Sequence, residues 1–222
     1  MTAFELKNRL LKEETLRIKG NTGKGLSWET YSDQPITICD LEKKRTVLVP
    51  MHLTLAKFFA WQPGIFSISP EDLLGAAPTQ KTIDLLSPNP ECLYSCVPTQ
   101  LQNPRSFASL LKQILRVRKD SSIANSSLLE VVRSDDKGTL ILRFQLRQNL
   151  TNDTVTALLA VNLSRKESIS ILESPEYAQT SAIDLSTQRT ENKSFESSFF
   201  DLKLEALSAK LILFQPRRLP KN

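Results

Sequence analysis

The sequence predicts an α+β protein in three parts: a partial βα segment over residues 1–121, an antiparallel β-sandwich over 122–216 and a short basic tail over 217–222. Three observations carry this expectation. Apolar residues recur at helical spacing in several stretches of the first part, then switch to period two after about residue 125. Seven strand-like runs follow in succession there with no helical stretch between them, the pattern of an antiparallel sandwich. In the first part, strand-like and helix-like runs alternate, which suggests layered βα structure.

The first part opens with a helical pattern, in which Phe4, Leu6, Leu10, Leu11 and Leu16 stand among charged residues. Gly20-Asn21 is its stop, since glycine takes the left-handed conformation at no steric cost. Residues 20–35 read as loop. Thr46 to Pro50 reads as a buried strand, Leu53 to Trp61 as a short helix and Gly64 to Ile68 as another strand. Pro70 suits the first turn of a helix capped by Ser69. Residues 76–105 hold five prolines and read as irregular, too long for a plain connector. The clearest helix follows over 106–119: Phe107, Leu110, Leu111, Ile114 and Leu115 form its stripe, Ser106 caps it, and its cations lie near the C-terminal end.

The strands of the second part are Leu128 to Val132, Thr139 to Arg147, Thr154 to Leu163, Ser168 to Leu172, Ala182 to Leu185, Phe199 to Leu204 and Ala209 to Phe214. Asp135-Asp-Lys-Gly138 reads as a turn, with glycine supplying a positive φ.

Composition bounds the function. The 222 residues are 40% apolar and 24% charged, which excludes collagen-like, disulfide-stapled and wholly disordered classes. No apolar run approaches the roughly 20 residues of a membrane span; the longest, Leu53 to Trp61, is broken by Lys57. The N-terminus lacks a secretory pattern, so a cytoplasmic protein without membrane contact is expected. A net charge of +5 is dispersed, and no ladder of aromatics interleaves basic residues, so nucleic acid is not expected as a partner. Cys39, Cys92 and Cys96 are too few for a disulfide framework. A zinc site would need Cys39 and the single His52 beside Cys92 and Cys96; reduced, buried thiols and a structural histidine are the expectation, with no metal. No phosphate-binding glycine motif occurs, and no cofactor is expected. The acceptors Asn125, Asn149, Asn152, Asn162 and Asn192 fit a Ser/Thr/Asn-rich β region.

A family resemblance rests on three stretches. Pro50-Met-His-Leu with Ala56-Lys-Phe-Phe-Ala-Trp-Gln-Pro-Gly-Ile-Phe-Ser-Ile-Ser69 resembles the approach to the final barrel strand of trehalose synthase-like members of the α-amylase superfamily. Leu93 to Leu101, with the helix from Ser106 to Lys119, resembles their last loop and last barrel helix. Leu158-Leu-Ala-Val-Asn-Leu-Ser164 is similar to a strand of their C-terminal sandwich. The resemblance implies maltose–trehalose interconversion by glucosyl transfer. That chemistry needs two opposed carboxylates, and in this family they precede the region matched here, so no catalytic residue carries over. The implied protein is a C-terminal fragment of such an enzyme, from a truncated or split gene. It would support a catalytic barrel encoded nearby, with α-glucans or maltose as further partners. Its first-part helices are then expected to bury poorly within this chain.

The resemblance also nominates Glu71 and Asp72, just past a barrel-type strand, and Trp61 as substrate-binding residues. The same residues have structural readings: acids favouring a helix dipole, and a tryptophan packed among Phe58, Phe59 and Phe66. The alternative function is a carbohydrate-binding or protein-interaction sandwich module, which predicts exposed aromatics on one sheet face.

Overall fold

The computed structural model describes residues 50–68, 70–75, 84–89, 92–132, 134, 136–147, 154–191 and 196–216. Four helices come first: α1 (Pro50–Ala60), α2 (Pro70–Leu74), α3 (Val97–Gln102) and α4 (Phe107–Ser121). Eight strands follow: β1 (Ser127–Val132), β2 (Thr139–Arg147), β3 (Thr154–Asn162), β4 (Ser168–Glu173), β5 (Thr180–Asp184), β6 (Arg189–Thr190), β7 (Phe199–Leu204) and β8 (Ser208–Pro216).

All the pairings are antiparallel. One sheet has six strands in the order β1-β2-β3-β8-β5-β6, and β4 pairs with β7 in a second, two-stranded sheet. β2 and β3 run in unbroken register from Thr139 opposite Asn162 to Arg147 opposite Thr154. The pleat then decides the layers, because alternate side chains point to opposite faces. Leu140, Leu142, Phe144 and Leu146 of β2 join Ala157, Leu159 and Val161 of β3 and Leu211 of β8 in a core with the helices. Ile141, Leu158, Ala160, Ile212 and Phe214 form a second core with Leu172, Phe200, Leu202 and Leu204 of the small sheet. The large sheet is thus the middle of three layers. Each fully buried Leu or Phe contributes about 1.5–3 kcal/mol.

The helix layer packs on the large sheet. Leu55, Phe58, Phe59, Phe107, Leu111 and Ile114 are all buried against the large sheet. The expectation that these stripes bury poorly is therefore corrected: the chain's own sheet covers them. Ser106 caps α4 by accepting from the Ser109 N–H at 3.3 Å, and Ser122 closes it in the left-handed conformation at φ 57°. The guanidinium of Arg118, near the end of α4, donates to the carbonyls of Ala60 at 2.5 Å, of Gln62 at 2.6 Å and of Gly64. Those carbonyls lie at and beyond the end of α1, where helical partners run out.

Other expectations need correction. Gly64 to Ile68 forms no strand; the described residues offer it no neighbouring strand to pair with. Pro50 opens a helix rather than ending a strand, and residues 46–49 lie outside the described residues, as do the first helix, the 20–35 loop, Cys39 and the Ser69 cap. The 76–105 stretch contains α3. β6, two residues long, escaped the period-two pattern. Gly138 is not in the left-handed region. It is needed because a Cβ there would sit 2.7 Å from Ser164 Cβ. Gly75 does carry positive φ, at 63°, and a Cβ there would meet Leu93 Cβ at 2.8 Å.

Arg118→Met keeps the aliphatic stem and removes three carbonyl partners. It should cost about 1–3 kcal/mol and lower the melting temperature measured by circular dichroism. Lys112→Met, on the exposed face of α4, should leave it within error.

Candidate functional site

Trp61, in the turn after α1, is 1% exposed and donates Nε1–H to the Ile114 carbonyl at 3.2 Å. The Lys57 ammonium lies over its ring, 5.8 Å from the centroid. Burial lowers the pKa of Lys57, opposed by the charges of Asp184 and Glu205. Trp61 therefore presents no open ring face. Glu71 and Asp72 stand half-buried in the first turn of α2. That helix seats Leu74 against Cys92, with Leu85 and Val97 beside them. Trp61 lies in the main core, whereas Leu74 of α2 belongs to a separate small cluster.

His52 of α1 is stacked on Phe107 at 4.1 Å between centroids, and its ring is parallel to that of Tyr94 at 5.6 Å. Its Nδ1 is 2.9 Å from Tyr94 Oη. Burial pushes the imidazole pKa down to about 3, so it is neutral near pH 7. This arrangement ties α1, the 92–96 segment and α4 together through one aromatic stack. Cys92 and Cys96 are both buried. Among the described residues no three His, Cys, Asp or Glu side chains are grouped as metal ligands would be.

Three polar centres were missed because each depends on at least one partner far away in sequence. Gln100 of α3, 3% exposed, donates to the Leu73 and Ser95 carbonyls and accepts from the Ala108 N–H at 2.9 Å, so one side chain joins α2, α3 and the start of α4. Asn162 ends β3 fully buried and donates to the Lys166 and Glu205 carbonyls at 2.7 and 3.0 Å. Arg143 places its guanidinium 3.1 Å from Glu130 and 3.8 Å from Glu176. The two carboxylates share one cation, the arrangement of an ion network rather than of an acid–base pair. Beside them burial pushes the Tyr177 hydroxyl up to about 12.

A groove of about 880 Å³ between the last turns of α4 and the large sheet has room for a ligand. Its floor is aliphatic, from Leu146, Val155 and Leu213. Its rim is polar, from Gln113, Arg116, Asp120 and Gln215. Arg116 and Asp120 pair at 3.5 Å but are well exposed, so the pair adds little stability and leaves the rim without net charge. Glu71, Asp72 and Trp61 do not line it. Its signal in the sequence was the polar face of the 106–119 helix, which composition alone leaves as a solvated face.

A helix layer on a six-stranded antiparallel sheet, backed by a two-stranded one, defines the class: a sheet-rich α+β fold. Solved structures share this fold. An α-amylase from Geobacillus thermoleovorans, complexed with acarbose, superposes with a TM-score of 0.55 at 16% identity, covering 77% of this chain and 34% of that one. An Anoxybacillus α-amylase gives 0.52 at 14%, covering 76% and 32%. AmyP in complex with maltose gives 0.53 at 15%, covering 73% and 34%. This chain spans about a third of the length of those amylases. No protein-family model and no curated protein sequence matches it. No described helix is long and apolar enough to cross a membrane.

The buried histidine sets a pH dependence. Its folded pKa, about 3, lies below the unfolded 6.5, so between those values the unfolded chain binds the extra proton. Stability should fall as pH drops through that window, with a slope of up to about 1.4 kcal/mol per pH unit. Denaturant titrations from pH 7 to pH 4 should show this slope, and His52→Phe should flatten it.

Proposed function

We propose that this chain is the C-terminal part of a trehalose synthase-like protein of the α-amylase superfamily. It supports a catalytic barrel in the cytoplasm and does not transfer glucose by itself. The observation that carries the reading is the shared fold: three quarters of this chain matches about a third of each amylase. Retaining glucosyl transfer needs a nucleophilic and an acid/base carboxylate roughly 5 Å apart. In this reading both come from the barrel, encoded nearby as a separate chain. The role of the present chain is mechanical. Its sheet buries the inner faces of α1 and α4, which fixes the outer face of that helix layer, including the half-exposed Leu115, as a surface for the barrel. Glu71 and Asp72 face sugar hydroxyls only when the barrel is in place.

A second reading is favoured by the groove. An aliphatic floor under a neutral amide rim suits a pyranose, which has an apolar C–H face and equatorial hydroxyls. Against it, Phe199 is the exposed aromatic among the described strand residues, so the aromatic platform expected of a sugar-binding sandwich is thin.

The purified chain should leave maltose unchanged by chromatography of the products, and co-purified with the neighbouring barrel polypeptide it should yield trehalose. Conversion by the lone chain, lost in Glu71→Gln, overturns this assignment. In calorimetry, maltose binding abolished by the double change Gln113→Ala and Gln215→Ala would support the second reading instead.

A further inference from the structure

The outer face of the small sheet carries a pattern that the fold itself does not require. β4 and β7 pair with Ile169 opposite Lys203, Ile171 opposite Asp201 and Glu173 opposite Phe199. The pleat puts these six side chains on one face. The other face packs on the large sheet through Leu172, Phe200, Leu202 and Leu204. A strand covered on one side only should send its apolar residues inward. The first half of β4 does the reverse. Ser168 and Ser170 point inward, where their hydroxyls meet those of Thr139 at 2.8 Å and Ser134 at 3.4 Å. Ile169 and Ile171 point outward and are 65% and 72% exposed, with Phe199 on the same face at 49%. Single exposed apolar residues are ordinary on a protein surface, but a contiguous group of them marks a contact.

The register also makes this face complementary to itself. Consider a two-fold axis lying in the interface, across the strands and midway between the Ile169–Lys203 and Ile171–Asp201 rows. It lays β4 over β4 of a second copy, running the opposite way. Ile169 then covers Ile171 of the second copy, and Ile171 covers its Ile169. By the same operation Lys203 meets Asp201 of the second copy, and Asp201 meets its Lys203. A two-fold contact uses one patch twice, so the exchange must set apolar on apolar and cation on anion, and here it does both. Glu167, just ahead of β4, and Glu173, at its end, fall opposite each other near the rim. Their repulsion is screened there, and Glu167 is already paired with Lys203 at 3.0 Å.

We propose that the outer face of β4 and β7 is an interface between two copies of this chain, related by that two-fold axis. The face lies across the large sheet from the helix layer, so the proposal goes beyond the barrel-supporting role and does not rest on it. With three apolar side chains from each copy, the contact belongs at the small end of specific interfaces, and the dimer is weak.

The test is sedimentation equilibrium on the full chain. The mass should rise from one copy to two across the micromolar range. Ile171→Lys should weaken association by at least about tenfold, as should Asp201→Lys and Lys203→Glu, each of which sets like charges against each other across the axis. An equimolar mixture of Asp201→Lys with Lys203→Glu should associate again, because in the mixed dimer both facing pairs are of opposite charge. The substituted positions all face solvent, and circular dichroism reports whether each variant is folded. Should a charge variant unfold, Ile171→Lys and Ile169→Lys decide. A single copy at every concentration, a dimer that tolerates Ile171→Lys, or a mixture no more associated than its two components overturns the proposal. Assembly beyond two copies also overturns it, since a two-fold contact closes on itself.

Discussion

The strands β3 and β8 are buried on both faces, and the remaining architecture follows from that. Leu158, Leu159, Ala160 and Val161 are fully buried in sequence, as are Leu211 and Ile212. A strand with apolar side chains on both sides needs a layer on each. One side is met by the two-stranded sheet, through Tyr177, Phe200 and Phe214, whose rings pack stacked or edge to face. The other is met by α1 and α4. The helices are therefore part of the core of the sheet rather than a neighbouring unit.

Because the helix layer is pinned to the sheet, polar groups caught between elements need partners there. They find them in backbone ends. Arg118 takes the carbonyls that α1 leaves unpaired, Gln100 serves three helical elements, and Asn162 holds two loops beside the last residue of β3. Thr54 donates its hydroxyl to the Leu207 carbonyl, tying α1 to the turn between β7 and β8. Each of these groups would otherwise be a buried donor or acceptor left unsatisfied, at about 1–3 kcal/mol apiece. The same logic applies to Glu130 and Glu176, both engaged with Arg143.

The surfaces divide unevenly. The inner faces of the helices and of both sheets are covered within this chain. Large apolar side chains stay exposed at Ile65 and Leu115 on the helix side, and at Ile169, Ile171 and Phe199 on the outer face of the small sheet.

Periodicity in the sequence was enough to fix the class and the strong elements: β2, bounded at Thr139 and Arg147, the helix from Phe107 with its Ser106 cap, and the alternation of the sandwich. These are local signals, in which each residue's neighbours three or two places away decide its environment. The candidate site was much less legible. Trp61 reads first as a core residue and second as a sugar platform, and what excludes the platform is Ile114 beneath its ring nitrogen, 53 positions away. Gly138 looked like a turn glycine, but the approach of Ser164 is what excludes a side chain. Gly64 to Ile68 has the residues of a strand, but a strand exists only where another lies beside it. The sequence by itself determined which segments prefer to be helix or strand and which faces are apolar. The tertiary structure alone decided which of those preferences found a partner, because pairing and burial depend on residues that are distant along the chain.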